Sequence, residues 1–128
     1  SVICKNESET VRESKKFSAF IRLILRVLFK YFICILYMLN YLVEFIGTFV
    51  FLSVILRTGE ALPIAVALAA AIYFGGAVSG GHFNPAVSTM MLLKNNLSAG
   101  DYIPYVVFQV LGGVCALYFY QMTKAKSK

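Results

Sequence analysis

Ser79-Gly80-Gly81-His82-Phe83-Asn84-Pro85-Ala86-Val87-Ser88 lies inside a 33-residue run, Ala61–Leu93, that carries no charged side chain. The run is too long for one membrane helix and too short for two helices and a loop, since a span takes about 20 residues. Its middle explains the mismatch. The glycine-rich opening cannot hold a helix, whereas Asn84 is a good N-cap and Pro85 a good first helical residue. Apolar residues then continue to Lys94-Asn95-Asn96. A helix over Pro85–Lys94 is about 15 Å long, half the hydrocarbon core. The pattern predicts a re-entrant segment, in which extended backbone (79–84) dips to the midplane and a half-helix (85–94) returns to the same side.

Non-helical backbone at that depth must be buried in protein or line a watery path. A half-helix N-terminus there offers free N–H groups and the positive end of a dipole. The carbonyls of Gly80, Gly81 and His82 would accept hydrogen bonds from a passing solute, and the Asn84 amide would donate one. The positive end would oppose cations and protons. This chemistry predicts a passage for small neutral polar molecules.

The surrounding sequence fits a membrane setting. Only 18 of the 128 residues are charged, and ten of these lie in residues 1–30. Three apolar runs, Tyr31–Leu56, Ala61–Leu93 and Tyr102–Thr123, hold 81 residues with Glu44 as their single charge. They exclude an ordinary soluble domain, a disordered chain and a nucleic-acid module. They are also continuously apolar, where a transmembrane β-strand would alternate. The fold expected is an all-α integral membrane protein: three transmembrane helices (about 39–56, 61–78 and 102–122) plus the re-entrant half-helix. Arg57-Thr58-Gly59-Glu60 is the turn between the first two. Ala67, Ala71, Gly75 and Ser79 recur every four residues, as do Gly76 and Gly80, and Gly112 with Ala116. Such spacing lets helix backbones approach closely in lipid. Pro63 and Pro104 fall in first turns, with Asp101 as the N-cap of the third span.

Residues 1–38 read differently. The first sixteen are polar and charged and read as a mobile tail. From Phe17 the chain turns apolar, but Arg22, Arg26 and Lys30 recur on one helix stripe. That pattern predicts an amphipathic helix in the headgroup layer. A fourth span is disfavoured because it would bury Arg26 at roughly 2.5–3.5 kcal/mol. Residues 125–128 form a short basic tail. Cys34 and Cys115 fall in apolar runs and read as buried small hydrophobes, with no CxxC in the chain. Asn6-Glu7-Ser8 and Asn96-Leu97-Ser98 match glycosylation acceptors, but both lie on the side expected to be inside. A chain that opens on Ser reads as processed or cut from a longer one.

The motif around Asn84 resembles the first Asn-Pro-Ala motif (the NPA motif) of the aquaporin and glycerol-facilitator, or major intrinsic protein, family. Glu44-Phe45-Ile46-Gly47-Thr48 resembles the family's first-span Glu-x-x-Gly-Thr, and Tyr105–Gly113, with Gln109, resembles its third span. The likeness covers roughly residues 40–122. It implies a channel for water or small neutral solutes, with Asn84 as the pore amide, followed by Pro85 and Ala86, and Glu44 accepting hydrogen bonds from the loop backbone. It also implies that Ile64, twenty residues before Asn84, faces the selectivity constriction. Water-selective members usually carry an aromatic residue or His there.

Family channels contain two such repeats in opposite orientation, and this chain holds one. The sequence therefore describes half of an inverted-repeat fold, as a fragment, as one partner of an antiparallel homo-oligomer, or beside a complementary half-channel. Near-membrane basic residues number six inside (Lys15, Lys16, Arg22, Arg26, Lys30 and Lys94) against four outside (Arg57, Lys124, Lys126 and Lys128). That lean favours a cytoplasmic N-terminus. The second repeat's motif normally leads into an Arg, and at the equivalent place here stands Val87. A pore with paired Ile64 and Val87 would be apolar and prone to dewetting. Weak water flux and tolerance for glycerol-like or ammonia-like solutes are expected. Glu44 reads as a structural acceptor rather than a proton relay. His82 reads as a loop-fixing side chain, since no second His exists to share a metal. Gln109 bonds the loop or lies satisfied between helices. No nucleophile–base pair or metal-ligand cluster is visible, so the reading is of a non-enzyme without cofactor or metal. The competing reading is a non-conducting membrane protein that binds or regulates full-length channels.

Overall fold

A computed structural model describes the backbone of residues 2–125 and the side chains from Val11 to Lys124. Four helices follow one another: α1 (Val2–Thr58), α2 (Ala61–Ser79), α3 (Pro85–Leu93) and α4 (Ala99–Ala125). The chain divides into two compact units, residues 1–37 and residues 38–128.

The first unit is helical throughout its described length. The polar tail expected over residues 1–16 is therefore helix from Val2 onward. No Gly or Pro precedes Gly47, and Glu, Lys, Arg and Leu all favour helix when nothing interrupts them. The side chains of Cys4 and of Asn6-Glu7-Ser8, and the end of the basic tail at 126–128, lie outside the described residues.

In the second unit four helix ends have a local cause. Gly59 ends α1 in the left-handed conformation (φ +63°), and its N–H bonds to the Ile55 carbonyl at 3.1 Å. Gly80 does the same for α2 (φ +88°), donating to the Gly76 carbonyl at 2.9 Å. Asn84 caps α3 with its side-chain oxygen, which accepts from the Ala86 N–H at 2.8 Å. The start of α4 corrects the sequence expectation. Ser98, not Asp101, is the cap: its Oγ accepts the Asp101 N–H at 3.0 Å and donates to the Asp101 carboxylate at 2.6 Å. The helix thus begins at Ala99, and Pro104 sits inside it rather than in its first turn.

The core is inverted relative to a soluble domain. Among the described residues three hydrophobic side chains are buried, Phe83, Tyr105 and Ala116, against six polar ones: Glu44, Thr48, Ser79, His82, Ser88 and Gln109. The outside is apolar, with Leu62, Phe74 and Leu93 each at least three-quarters exposed. Among the described residues, two helices, Ala61–Ser79 and Ala99–Lys124, are long and apolar enough to cross a membrane. Cys34 and Cys115 are exposed, contrary to the sequence expectation, because both sit on these outward apolar surfaces.

Glycines set the packing distances. A Cβ on Gly112 would stand 2.6 Å from the Phe45 carbonyl oxygen, so only glycine lets α4 lie directly on α1. Tyr105, Gln109, Gly112 and Ala116 line one buried stripe of α4 at helical spacing. Phe83 fills a cradle made by glycines on two helices: a Cβ on Gly47 would overlap its ring, and one on Gly75 would come within 3.0 Å.

Candidate functional site

Five residues connect α2 to α3, and the conformation of this loop depends on its residue types. Gly80 (φ +88°), Gly81 (φ +67°) and Phe83 (φ +46°) all lie in the left-handed region. The two glycines adopt it freely, whereas for Phe it is strained and must be held by its surroundings. Gly81 also passes close to α2, where an added Cβ would meet the Gly76 Cα at 3.1 Å.

The strain is held by Glu44, which is fully buried on α1. One carboxylate oxygen accepts the Ser79 hydroxyl at 2.7 Å and the His82 N–H at 3.0 Å. The other accepts the Phe83 N–H at 2.6 Å and the Gln109 side-chain amide at 2.9 Å. Four donors saturate the lone pairs of an ionised carboxylate. The backbone N–H groups of two successive residues, His82 and Phe83, both point at this one carboxylate, so the loop is clamped where it is most strained.

The network extends beyond the carboxylate. The Gln109 amide also donates to Ser88 Oγ at 2.8 Å, and Ser88 Oγ lies 3.0 Å from His82 Nδ1. The Tyr105 hydroxyl donates to the Ser79 carbonyl at 2.6 Å, and the Tyr41 hydroxyl donates to Asp101 at 2.7 Å. Elements from α1, α2, the loop, α3 and α4 are thereby joined around Glu44. Two buried polar atoms in the same region, Thr48 Oγ1 and Gln109 Oε1, have no partner among the described residues. Thr48, Gln109, Asn84 and Pro85 line one cavity of about 280 Å³. A second cavity, about 360 Å³, is apolar and runs between α1 and α2 over Gly47, Ala67, Ala71 and Gly75.

The structure brings most of the sequence-predicted site residues together. Asn84 is exposed at the tip of α3, with Oδ1 engaged in the cap and Nδ2 left as a donor. Gly80 is exposed and Gly81 half-buried, while Pro85 and Val87 are half-buried and Ala86 exposed on α3. His82 is buried beside Ser88 and Tyr105. Glu44 and Gln109 meet beneath the loop. Ile64 stands apart, in the first turn of α2, about 22 Å along that helix from Ser79.

Sequence reasoning missed four contributors: Ser79, Ser88, Tyr105 and Phe83. Ser88 stands one turn after Asn84 and so was within reach of a helical-face argument. Ser79 was read as a small packing residue, but its hydroxyl is what Glu44 holds. Phe83 carried no polar signal, and its role depends on glycines 36 and 8 residues upstream.

An apolar coat over a buried hydrogen-bonded knot is the build of a helical membrane protein. Residues 37–128 match the major intrinsic protein family, and the chain belongs to it. It is 44% identical over 88 residues to glycerol uptake facilitator protein-like 6 of Lactiplantibacillus plantarum, covering 62% of this chain and 41% of that protein. It is 47% identical over 58 residues to aquaporin Z of Brucella melitensis, covering 45% and 25% of the two. With aquaporin PIP1-6 of Zea mays it shares 37% over 89 residues, 56% and 30% of the two lengths. The chain thus spans less than half the length of these relatives. Members of the family are integral membrane channels, not enzymes.

Proposed function

We propose that this chain forms half of a passive channel for water or small neutral solutes such as glycerol or ammonia. Residues of about 39–56, 61–78 and 102–122 cross the bilayer, the loop 79–84 with the half-helix 85–94 re-enters it, and the N-terminus is cytoplasmic. The observation that carries the reading is the arrangement at Asn84. Its Oδ1 is committed to capping α3, which leaves Nδ2 of this exposed residue as a donor. Beside it, the carbonyls of Gly80, Gly81 and His82 accept no hydrogen bond among the described residues. A hydroxyl or amine passing this point finds one donor and a short row of acceptors, enough to replace part of its hydration. An ion finds no countercharge, because Glu44 is consumed beneath the loop.

The second half comes from another copy in antiparallel orientation, from a partner, or from further sequence of a longer protein. Ile64 and Val87 make its narrow points apolar, which favours solutes larger and less strongly hydrated than water. Stopped-flow light scattering on proteoliposomes tests this. Flux of glycerol or ammonia above that of empty vesicles, abolished by Asn84→Asp, is expected. Fast and strictly water-selective flux, or flux indifferent to Asn84→Asp, would sink the proposal.

A second reading has the same unit docking on full-length channels without conducting. The two open cavities and the apolar outer faces favour some helical partner. Cross-linking at Asn84 between copies supports a self-completed pore, whereas contact only through outer faces supports the non-conducting role.

A further inference from the structure

Residues 11–37, taken by themselves, carry a feature that the channel reading does not use. Arg12, Lys15, Lys16, Arg22, Arg26 and Lys30 are all exposed along α1. At 100° per residue they fall within about 120° of the helix circumference and extend over about 27 Å. No Asp or Glu occurs between Ser14 and Val43, so three of the six, Arg22, Arg26 and Lys30, have no acidic residue within one turn. Within this stretch Lys16 pairs with Glu13 at 2.8 Å, and Arg22 Nε donates to the Ser18 carbonyl at 3.2 Å. The opposite face presents Phe17, Phe20, Ile21, Ile24, Leu25 and Leu28, with Phe17 67% exposed.

We propose that residues 12–30 of α1 dock on the surface of an anionic phospholipid bilayer, apolar face in the acyl boundary and basic face at the phosphates. Both faces require this occupant. A nucleic acid or an acidic peptide would neutralise the cations and leave Phe17, Phe20 and Ile24 in water. A neutral bilayer would take the apolar face and leave the cations without partners. Only a surface with hydrocarbon beneath and negative charge above satisfies both, and long Arg and Lys side chains reach from one layer to the other. Each cation near such a surface strengthens docking by about fivefold. This inference does not depend on whether the second unit conducts.

The test uses the full chain in vesicles, with Cys4, Cys34 and Cys115 replaced by Ala and a spin label at Ile24→Cys or Ala19→Cys. Position 24 is on the apolar face and position 19 among the cations. In phosphatidylcholine vesicles containing phosphatidylglycerol, the label at 24 should relax with oxygen and be shielded from a water-soluble nickel complex. The label at 19 should remain open to nickel. Neutral vesicles or high salt should reduce the docked fraction. The triple variant R22Q/R26Q/K30Q should lose the preference for anionic lipid by about 100-fold, the product of three fivefold steps. Equal docking to neutral and anionic vesicles would overturn the proposal. So would both labels reporting the bilayer centre, which is a span, or spin–spin broadening at 24 between copies, which is self-association.

Discussion

The two units solve the same problem, polar side chains on an apolar helix, in opposite ways. Residues 11–37 keep Arg22, Arg26 and Lys30 exposed, with no acidic partner among the described residues, where water or phosphate can reach them. Residues 38–124 bring Glu44, Ser79, His82, Ser88 and Gln109 inside and bond them to one another. The exposed cations can be changed singly at little cost to folding. The buried groups cannot, because each leaves a partner stranded where no water compensates. The contrast therefore predicts where substitutions unfold the chain and where they change only what it touches.

The strongest way to break the contrast is Glu44→Ala. It removes one carboxylate and strands four donors, among them the His82 and Phe83 N–H groups that fix the loop. A loss of about 3–5 kcal/mol is expected, the range for breaking a buried charged network. Denaturation of the chain in detergent micelles measures it. Arg26→Gln, in the other unit, should leave the same transition within about 0.5 kcal/mol.

Phe83→Ala comes next. The ring is buried among Gly47, Gly75 and Gly81, where an alanine would leave an unfilled space. Phe→Ala in a packed core costs about 3–5 kcal/mol, and the low end is expected, because the φ of +46° burdens Phe more than it would a smaller residue. Phe83→Leu should recover much of the loss. If the leucine variant folds but its solute flux falls, the ring also positions Asn84, its chain neighbour.

These two residues show what could be read in advance. Glu44 stood out because an acid in an apolar run demands a partner, and the resemblance indicated the loop. The half-helix was legible too, since Asn-Pro after glycines is a local signal, and the structure starts α3 at Pro85. The glycine cradle of Phe83 was hidden because its parts lie on α1, α2 and the loop, and no periodicity connects them. The start of α4 was misread for a related reason. Ser98 and Asp101 both suit a cap, and only the reciprocal bonds between them decide which one is. The helical state of Val2–Lys16 was missed because polarity was read as disorder, although the residue types themselves favour helix.

A smaller effect is expected at Gly112→Ala. The added methyl would press on the Phe45 carbonyl at 2.6 Å, with the Thr48 Cβ 3.2 Å away. Relief requires α4 to move off α1, which loosens Gln109 three residues earlier. Overpacking of this kind costs about 1–3 kcal/mol. Gly100→Ala, which meets little more than the Ser98 hydroxyl at 3.8 Å, is the control that should not destabilise.

The smallest effect carries the opposite sign. Thr48 is buried one turn after Glu44, yet its hydroxyl has no partner among the described residues. Thr48→Val keeps the shape and removes the stranded group, whose burial costs about 1–3 kcal/mol. The variant should therefore gain about 1 kcal/mol in the same unfolding measurement, in contrast to every substitution inside the bonded network. The comparison sharpens further if the experiment is repeated on the chain in lipid, where the proposed channel would assemble. Thr48 lines the cavity beside Asn84 together with Gln109, whose Oε1 is also unpartnered. A gain that persists after assembly means the cavity stays dry or apolar. A gain that turns into a loss means that the surroundings in lipid supply the missing hydrogen bond, and it would place the contact of the proposed second half at Thr48 and Gln109.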